Sequence, residues 1–195
     1  FTLPENWQVR GIWAPRFWTQ IALSLEMLWR SPEVLFVPAH TVPLIHPART
    51  IVTIHGLEYE FCKDAYPFWD RLYMRTSIRF SCRAAQTVIC VSENTKRDVM
   101  RLYAVKEEKI RVIYEGYDDQ QSVSLKQRPI TDNKQRPYLL FIGRLEERKN
   151  IVRMIEAFEI LKDSQQLPHQ LVLIGKFGYG KERIEEKIAM SQYRQ

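Results

Sequence analysis

The 195-residue chain is short of features that would settle its role at once. It has three cysteines, Cys62, Cys82 and Cys90, an odd number without metal-ligand spacing. That argues against a disulfide framework and against a thiolate metal site, and it points to a reducing compartment. No Asn-x-Ser/Thr sequon occurs, which suits the cytoplasm. No apolar run is long enough to span a bilayer, and no secretory h-region is present. There is no internal repeat, no low-complexity tract and no Asp-x-Asp pair of the metal-binding type. An initiator Met is also lacking. Phe1 stands first and the chain closes in an apparent helix after Ile184 and Ile188, so it reads as a fragment cut at both ends.

What remains is ample for folding. Apolar residues make up 45% of the chain, enough for one or two domains with real cores. The formal net charge is +6 and the isoelectric point is near 9.3. Such a balance favours phosphate-bearing partners: nucleotides, anionic lipid head groups or nucleic acid. Charge alone does not choose among them.

Short β-branched or apolar runs alternate with helical patterns. Val34 to Val37, Ile51 to Ile54, Thr87 to Val91, Ile110 to Ile113, Leu139 to Ile142 and Leu171 to Ile174 read as strands. Trp18 to Trp29, Phe68 to Ala85, Glu93 to Tyr103, Ile151 to Lys162 and Lys181 to Met190 read as helices. This alternation predicts an α/β fold with parallel sheets covered by helices. The run from Asp118 to Arg136 is polar and nearly without apolar anchors, as expected of an interdomain connection. The chain thereby divides into a first domain over residues 1–118, a linker over 119–136 and the opening βαβα of a second domain over 137–195.

The most informative stretch is Tyr138-Leu-Leu-Phe-Ile-Gly-Arg-Leu-Glu-Glu-Arg-Lys-Asn150. Leu139 to Ile142 suits a strand buried on both faces. Gly143 breaks it, and a helical pattern opens at Asn150, a candidate N-cap, with Ile151, Met154, Ile155, Phe158 and Leu161 on one face. The turn carries Arg144, Arg148 and Lys149. Ligands of open α/β sheets bind at the carboxyl ends of the strands, and helix N-termini favour anions, so these cations suggest a phosphate or diphosphate site. A plain solvated basic turn is the competing reading.

The other strand ends share a pattern. His55-Gly56 follows the second strand, Ser92-Glu-Asn-Thr95 the third, Glu115-Gly116 the fourth, and Gly175-Lys176, with Gly178 and Gly180 close behind, the sixth. Glycines admit a ligand close to the backbone, though each also simply ends a strand. His55 reads either as a hydrogen-bonded core residue or as a neutral donor or acceptor to a sugar hydroxyl. Glu58 and Glu60 read either as acid-base groups or, by their alternation with Tyr59 and Phe61, as an exposed edge, and the surface reading is preferred. Arg71, Arg75, Arg79 and Arg83 recur every four residues on one helix face, and Trp69, Leu72, Tyr73, Thr76 and Phe80 occupy its other side. That basic stripe is either a solvated face or a docking surface for an anionic membrane carrying a lipid-linked acceptor.

Four segments together resemble glycosyltransferase family 4, the retaining transferases with two facing Rossmann-like domains (the GT-B architecture). They are Thr50-Ile-Val-Thr-Ile-His-Gly-Leu-Glu58, Val91-Ser-Glu-Asn-Thr-Lys-Arg-Asp98, Lys109-Ile-Arg-Val-Ile-Tyr-Glu-Gly-Tyr-Asp118 and Phe141-Ile-Gly-Arg-Leu-Glu-Glu-Arg-Lys-Asn150. Their order and spacing match across most of the chain. The resemblance implies transfer of a hexosyl group from a nucleotide-diphosphate sugar, such as GDP-mannose or UDP-glucose, to a glycan or lipid-linked acceptor with retention of configuration. It implies that Arg144 and Lys149 grip the donor diphosphate, with Gly143 and Gly175 beside it, and that neither a metal nor a separate cofactor is needed. On the acceptor side it implies His55, Gly56, Ser92 and Gly116, with His55 touching the transferred sugar. Arg148 is expected to recede towards solvent.

Two positions depart from the family pattern. Gly56 stands where many relatives have Asp, and Glu115 where many have Asn before Gly. The family's acidic pair is expected beyond Gln195 and its first Gly-rich loop before Phe1, so the chain alone is expected not to catalyse transfer. Location is expected to be cytoplasmic, peripheral at the inner membrane face if the Arg71/Arg75/Arg79/Arg83 stripe docks there. Two competing readings stay open: another reaction on the same fold, such as nucleotide-sugar epimerisation or glycogen- or starch-type synthesis, and a non-catalytic nucleic-acid-binding module. The chain carries no compact basic-aromatic RNA motif for the last.

Overall fold

The computed structural model describes residues 5–14, 17–117 and 137–194. They fall into two compact units that divide at Gly116 and Tyr117, with Cys62–Phe68 grouped with the second. The polar connection over 119–136 lies outside the described residues, as does Asp118.

The first unit is a four-stranded parallel sheet in the order β1 (Leu35–Val37), β2 (Thr50–Ile54), β3 (Thr87–Cys90) and β4 (Ile110–Val112). Its helices are α1 (Ala22–Trp29), the single turn α2 (Glu58–Phe61), α3 (Phe68–Ala84) and α4 (Glu93–Tyr103). The expected alternation holds, with α1 starting later than the pattern suggested because Trp18 to Gln20 form a turn. Strands β2 and β3 are central, and Val52, Ile54, Val88 and Cys90 are wholly buried. Each of the two valines and the isoleucine contributes about 1.5–3 kcal/mol by leaving water. All three cysteines are free. Burial pushes the Cys82 thiol up to about 12 and the Cys90 thiol up to about 11, so both pack as inert apolar groups. Buried Ser81 ties the loop before β2 to α3: its Oγ accepts from the Val42 amide at 2.8 Å and donates to the Ser77 carbonyl at 2.8 Å.

Helix α3 corrects one expectation. Its core side is Ser77, Ile78, Ser81 and Cys82, small enough to lie close to the sheet. Trp69, Leu72 and Tyr73 therefore do not face the core; they are 75%, 41% and 42% exposed. They share the outer surface with Arg75, Arg79 and Arg83, while Arg71 is half-buried.

Glu60 corrects another. Residues 58–61 form helix α2 rather than an extended edge, and Tyr59 turns inward. The Tyr103 hydroxyl donates to Glu60 Oε1 at 2.9 Å, and Arg75 Nε sits 3.2 Å from the same oxygen. Since a carboxylate only accepts, Tyr59 must donate to the Tyr103 hydroxyl, 2.7 Å away. Glu60 thus closes a buried chain, whereas Glu58 is exposed as expected.

The second unit pairs β5 (Tyr138–Ile142) with β6 (Gln170–Ile174) in parallel, with α5 (Ile151–Gln165) and α6 (Lys181–Met190) packed on them. Leu145, Ile151, Ile155 and Ile184 form its core, backed by Phe141, Val152, Met154, Leu171, Leu173 and Ile188. Strand β5 is not buried on both faces: Leu139, Leu140 and Ile142 are 45%, 47% and 71% exposed. A parallel strand is buried when helices cover both faces of a wider sheet, and the described residues give β5 only β6 beside it. Helix α6 closes at Met190, so the chain passes beyond it rather than stopping inside it. Among the described residues, no helix is long and apolar enough to cross a membrane.

Candidate functional site

In the second unit, the ladder continues past the strands. Gly143 N donates to the Ile174 carbonyl, Leu145 N to Lys176, Gly178 N to Leu145 and Glu147 N to Tyr179, each at 2.9 Å. The basic turn is thereby fastened to the Gly175–Gly180 turn. Gly143 and Gly175 both have φ of +155°, and a Cβ on Gly175 would lie 1.7 Å from the Gly143 carbonyl oxygen. Gly175 is demanded by its neighbour's backbone, whatever it does for a ligand.

Glu146 organises the cations of this turn, and nothing in the sequence pattern singled it out. It is 8% exposed, with Arg148 Nε 2.6 Å from its Oε1 and Arg144 Nε 3.5 Å from its Oε2. Oε1 has no aligned hydrogen bond, so the Arg148 contact is an ion pair. Arg148 is exposed as a residue, as expected, but the carboxylate holds its guanidinium, with about a third of the side chain exposed. Arg144 is 67% exposed. Lys149 ends a one-turn 3₁₀ helix, Glu147–Lys149, is exposed, and makes no ion pair among the described residues. The turn therefore presents Arg144 and Lys149 outward while Glu146 retains Arg148.

Asn150 does not cap α5 through its side chain. It adopts the left-handed conformation (φ 56°, ψ 39°), and its carbonyl accepts from Met154 N at 3.1 Å. Left-handed backbone comes more easily to Asn than to most residues, which explains its place at this corner.

In the first unit, Ser92 caps α4 as expected. Its Oγ accepts from Thr95 N at 3.1 Å, and the two hydroxyl oxygens lie 3.0 Å apart. Thr95 Oγ1 reaches back to the His55 carbonyl at 3.4 Å, joining the ends of β2 and β3. His55, Gly56, Glu58, Asn94, Thr95, Asp98 and neighbours line an open pocket of about 490 Å³. A Cβ on Gly56 would lie 2.8 Å from Glu58 Oε2, so that carboxylate occupies the space a larger residue would need. Gly116 is open, with nothing within 4 Å of a Cβ.

His55 is not a free donor or acceptor. Its Nδ1 is 2.8 Å from Glu115 Oε1 and its Nε2 is 2.9 Å from the Pro38 carbonyl. The Pro38 bond, helped by Glu115, raises its pKa against a smaller desolvation effect. Sequence reading missed His40, whose ring lies edge-on to His55 with centroids 5.3 Å apart. His40 has a φ of 46° and a buried Nδ1 without a hydrogen-bond partner. Desolvation and then the charge of His55 lower its pKa, and Glu58 opposes them.

A further cavity among the described residues, about 540 Å³, lies in the second unit. It is lined by Phe158, Lys162, Gln170, Ile188, Tyr193 and others at the amino end of β6, opposite the strand end that carries the basic turn.

Comparison with known proteins accounts for both units. The family described as Glycosyltransferase Family 4 matches residues 5–121, and that described as Glycosyl transferases group 1 matches residues 123–194. The O-antigen chain mannosyltransferase RfbU of Salmonella typhimurium is 24% identical over 176 residues, covering 90% of this chain and 44% of that protein. The O-antigen chain mannosyltransferase B of Escherichia coli is 24% identical over 138 residues, covering 67% of this chain and 36% of that protein. The chain thus spans less than half the length of either relative. With parallel α/β units of Rossmann-like type and a family match over more than half its length, the chain belongs to glycosyltransferase family 4, of GT-B architecture.

Proposed function

We propose that the protein containing this chain transfers a hexosyl group, mannosyl in the first instance, from a nucleotide-diphosphate sugar to a glycan or lipid-linked acceptor with retention of configuration. The observation that carries this reading is the turn at the end of β5, which holds Arg144 and Lys149 outward on a backbone clamped by its neighbour. The names of the two relatives support a mannosyl group. In the reaction, the bond from the sugar's anomeric carbon to the diphosphate oxygen breaks, and the diphosphate leaves with the electron pair. The acceptor oxygen attacks from the same face, and its proton passes to the departing phosphate oxygen. Arg144 and Lys149 neutralise the charge that develops there, with no metal invoked. Residues 137–195 hold the donor, with Gly143 and Gly175 shaping the turn. Residues 1–118 hold the acceptor, through the edge carrying His55, Gly56, Ser92 and Gly116, with 119–136 as their connection.

The acceptor reading extends to a peripheral location on the cytoplasmic face of a membrane. It is supported by the outer surface of α3, where exposed Phe68, Trp69, Leu72 and Tyr73 lie with Arg79 and Arg83. Aromatic rings beside arginines suit the interface of an anionic bilayer. Vesicles containing phosphatidylglycerol are expected to bind the protein and to release the Arg79→Glu, Arg83→Glu, Trp69→Ala variant; equal retention of both refutes the contact.

The transfer itself is tested by offering the intact protein a panel of nucleotide sugars and weighing the products. A hexose-sized mass gain on a glycan or lipid-linked acceptor is expected, with a GDP-mannose-type donor preferred. Hydrolysis, epimerisation or no reaction with every donor would overturn the proposal.

A further inference from the structure

His55 follows β2 and Glu115 follows β4, yet the fold brings them into contact across 60 residues of chain. Both partners of the His55 ring are acceptors only: the Pro38 carbonyl faces Nε2 and the Glu115 carboxylate faces Nδ1. A neutral imidazole has one N–H and satisfies one of them. Satisfying both takes the imidazolium, which Glu115 then neutralises. The other groups facing this ring are His40 after β1, Glu58 on α2, and Asp98 and Arg101 of α4, which line the same pocket. Thr95 contacts the His55 backbone only. None of these takes up either ring nitrogen.

With both nitrogens engaged, His55 has no lone pair to offer a hydroxyl. Glu115 does: its side chain is 67% exposed, and Oε2 has no partner among the described residues. We propose that Glu115 is the group at this sheet edge that receives a sugar hydroxyl, through Oε2, and that His55 is the positioning residue that holds the carboxylate by Oε1. The inference rests on the reading of this edge as the acceptor side.

Two measurements decide it. Long-range ¹H–¹⁵N spectra of this chain report the protonation of each ring nitrogen of His55. Both are expected to carry protons at neutral pH, and Glu115→Gln is expected to lower the titration midpoint by about one unit. A single neutral tautomer at neutral pH, or a midpoint unmoved by the substitution, overturns the pairing. In the intact protein, Glu115→Ala is expected to raise the acceptor KM about tenfold with the donor KM unchanged, and His55→Gln to do so less. An unchanged acceptor KM overturns the hydroxyl contact. The failures are distinguishable: loss of the parent reading shows as no transfer by the unsubstituted protein, whereas loss of this one shows, with transfer intact, in the ring spectra or in an unchanged acceptor KM.

Discussion

Replacing Gly175 by alanine tests whether the basic turn is held by the backbone beneath it. The added Cβ would lie 1.7 Å from the Gly143 carbonyl oxygen and 2.7 Å from its carbon, and no rotamer of a methyl group relieves that. The position also has φ of +155°, which costs an L-residue about 1–3 kcal/mol. The ends of β5 and β6 must then separate. That weakens Gly143 N to Ile174 O and Leu145 N to Lys176 O, both 2.9 Å, at about 1 kcal/mol each. The sum is about 3–5 kcal/mol, a large part of the ~5–15 kcal/mol that holds a domain together. Urea unfolding followed by far-ultraviolet circular dichroism reads the loss, because all five tryptophans precede residue 70 and report on the first unit. Amide exchange at Leu145 reads it locally. Gly116→Ala is the control: nothing lies within 4 Å of its Cβ and its φ is not positive, so a change under about 0.5 kcal/mol is expected. If Gly175→Ala unfolds within about 1 kcal/mol of the parent and keeps its Leu145 amide protected, the backbone does not clamp the turn.

Three further outcomes are expected. Ser92→Ala removes the cap of α4 and costs about 1 kcal/mol, measurable by the same unfolding curves, while Ser92→Thr retains most of it. The histidine pair makes stability depend on pH in opposite directions. His40, with its folded pKa lowered, costs stability as pH falls below the ordinary histidine value of about 6.5, and His55, with its folded pKa raised, loses its contribution as pH rises above that value. The contribution of this pair to unfolding free energy therefore peaks near pH 6.5. In the double variant His40→Gln, His55→Gln the profile is expected to flatten there, and an unchanged profile would show that the ring contacts do not shape titration. Glu146→Gln is expected to free Arg144 and Arg148 to sample other positions, read as broadened guanidinium resonances of both; unbroadened signals would show that the carboxylate does not hold them.

Strand ends are legible in the sequence because a buried parallel strand writes itself as a short apolar run, and the residues after it must turn. Residues 50–56, 87–95 and 138–150 mark the edges of both sheets in that way, and Ser92 announces its cap. Features set by partners far along the chain are not legible. Glu115 meets His55 from 60 residues away, and His40 meets it from the loop after β1. Glu146 is hidden among alternating charges, since nothing local says which carboxylate in Leu145-Glu-Glu-Arg-Lys149 turns inward. Leu145 does so too, and the pairing of Leu145 with Phe177 places Glu146 beside Gly178. The exposure of Trp69, Leu72 and Tyr73 runs against the rule that apolar residues on a helix mark its core side. On α3 that side is made of serines, Ile78 and Cys82, which the sequence offers as polar or neutral.

The functional reading turns on Arg144 and Lys149 receiving the diphosphate of a nucleotide donor. Isothermal titration of GDP and UDP into the intact protein and into its Lys149→Ala variant tests it most directly. Loss of a charge-assisted contact worth about 1.5–3 kcal/mol weakens binding roughly 10- to 150-fold. That loss is expected for Lys149→Ala and for Arg144→Ala, with a smaller one for Arg148→Ala, whose charge Glu146 already holds. Equal affinity of the parent and Lys149→Ala for both nucleotides would contradict it.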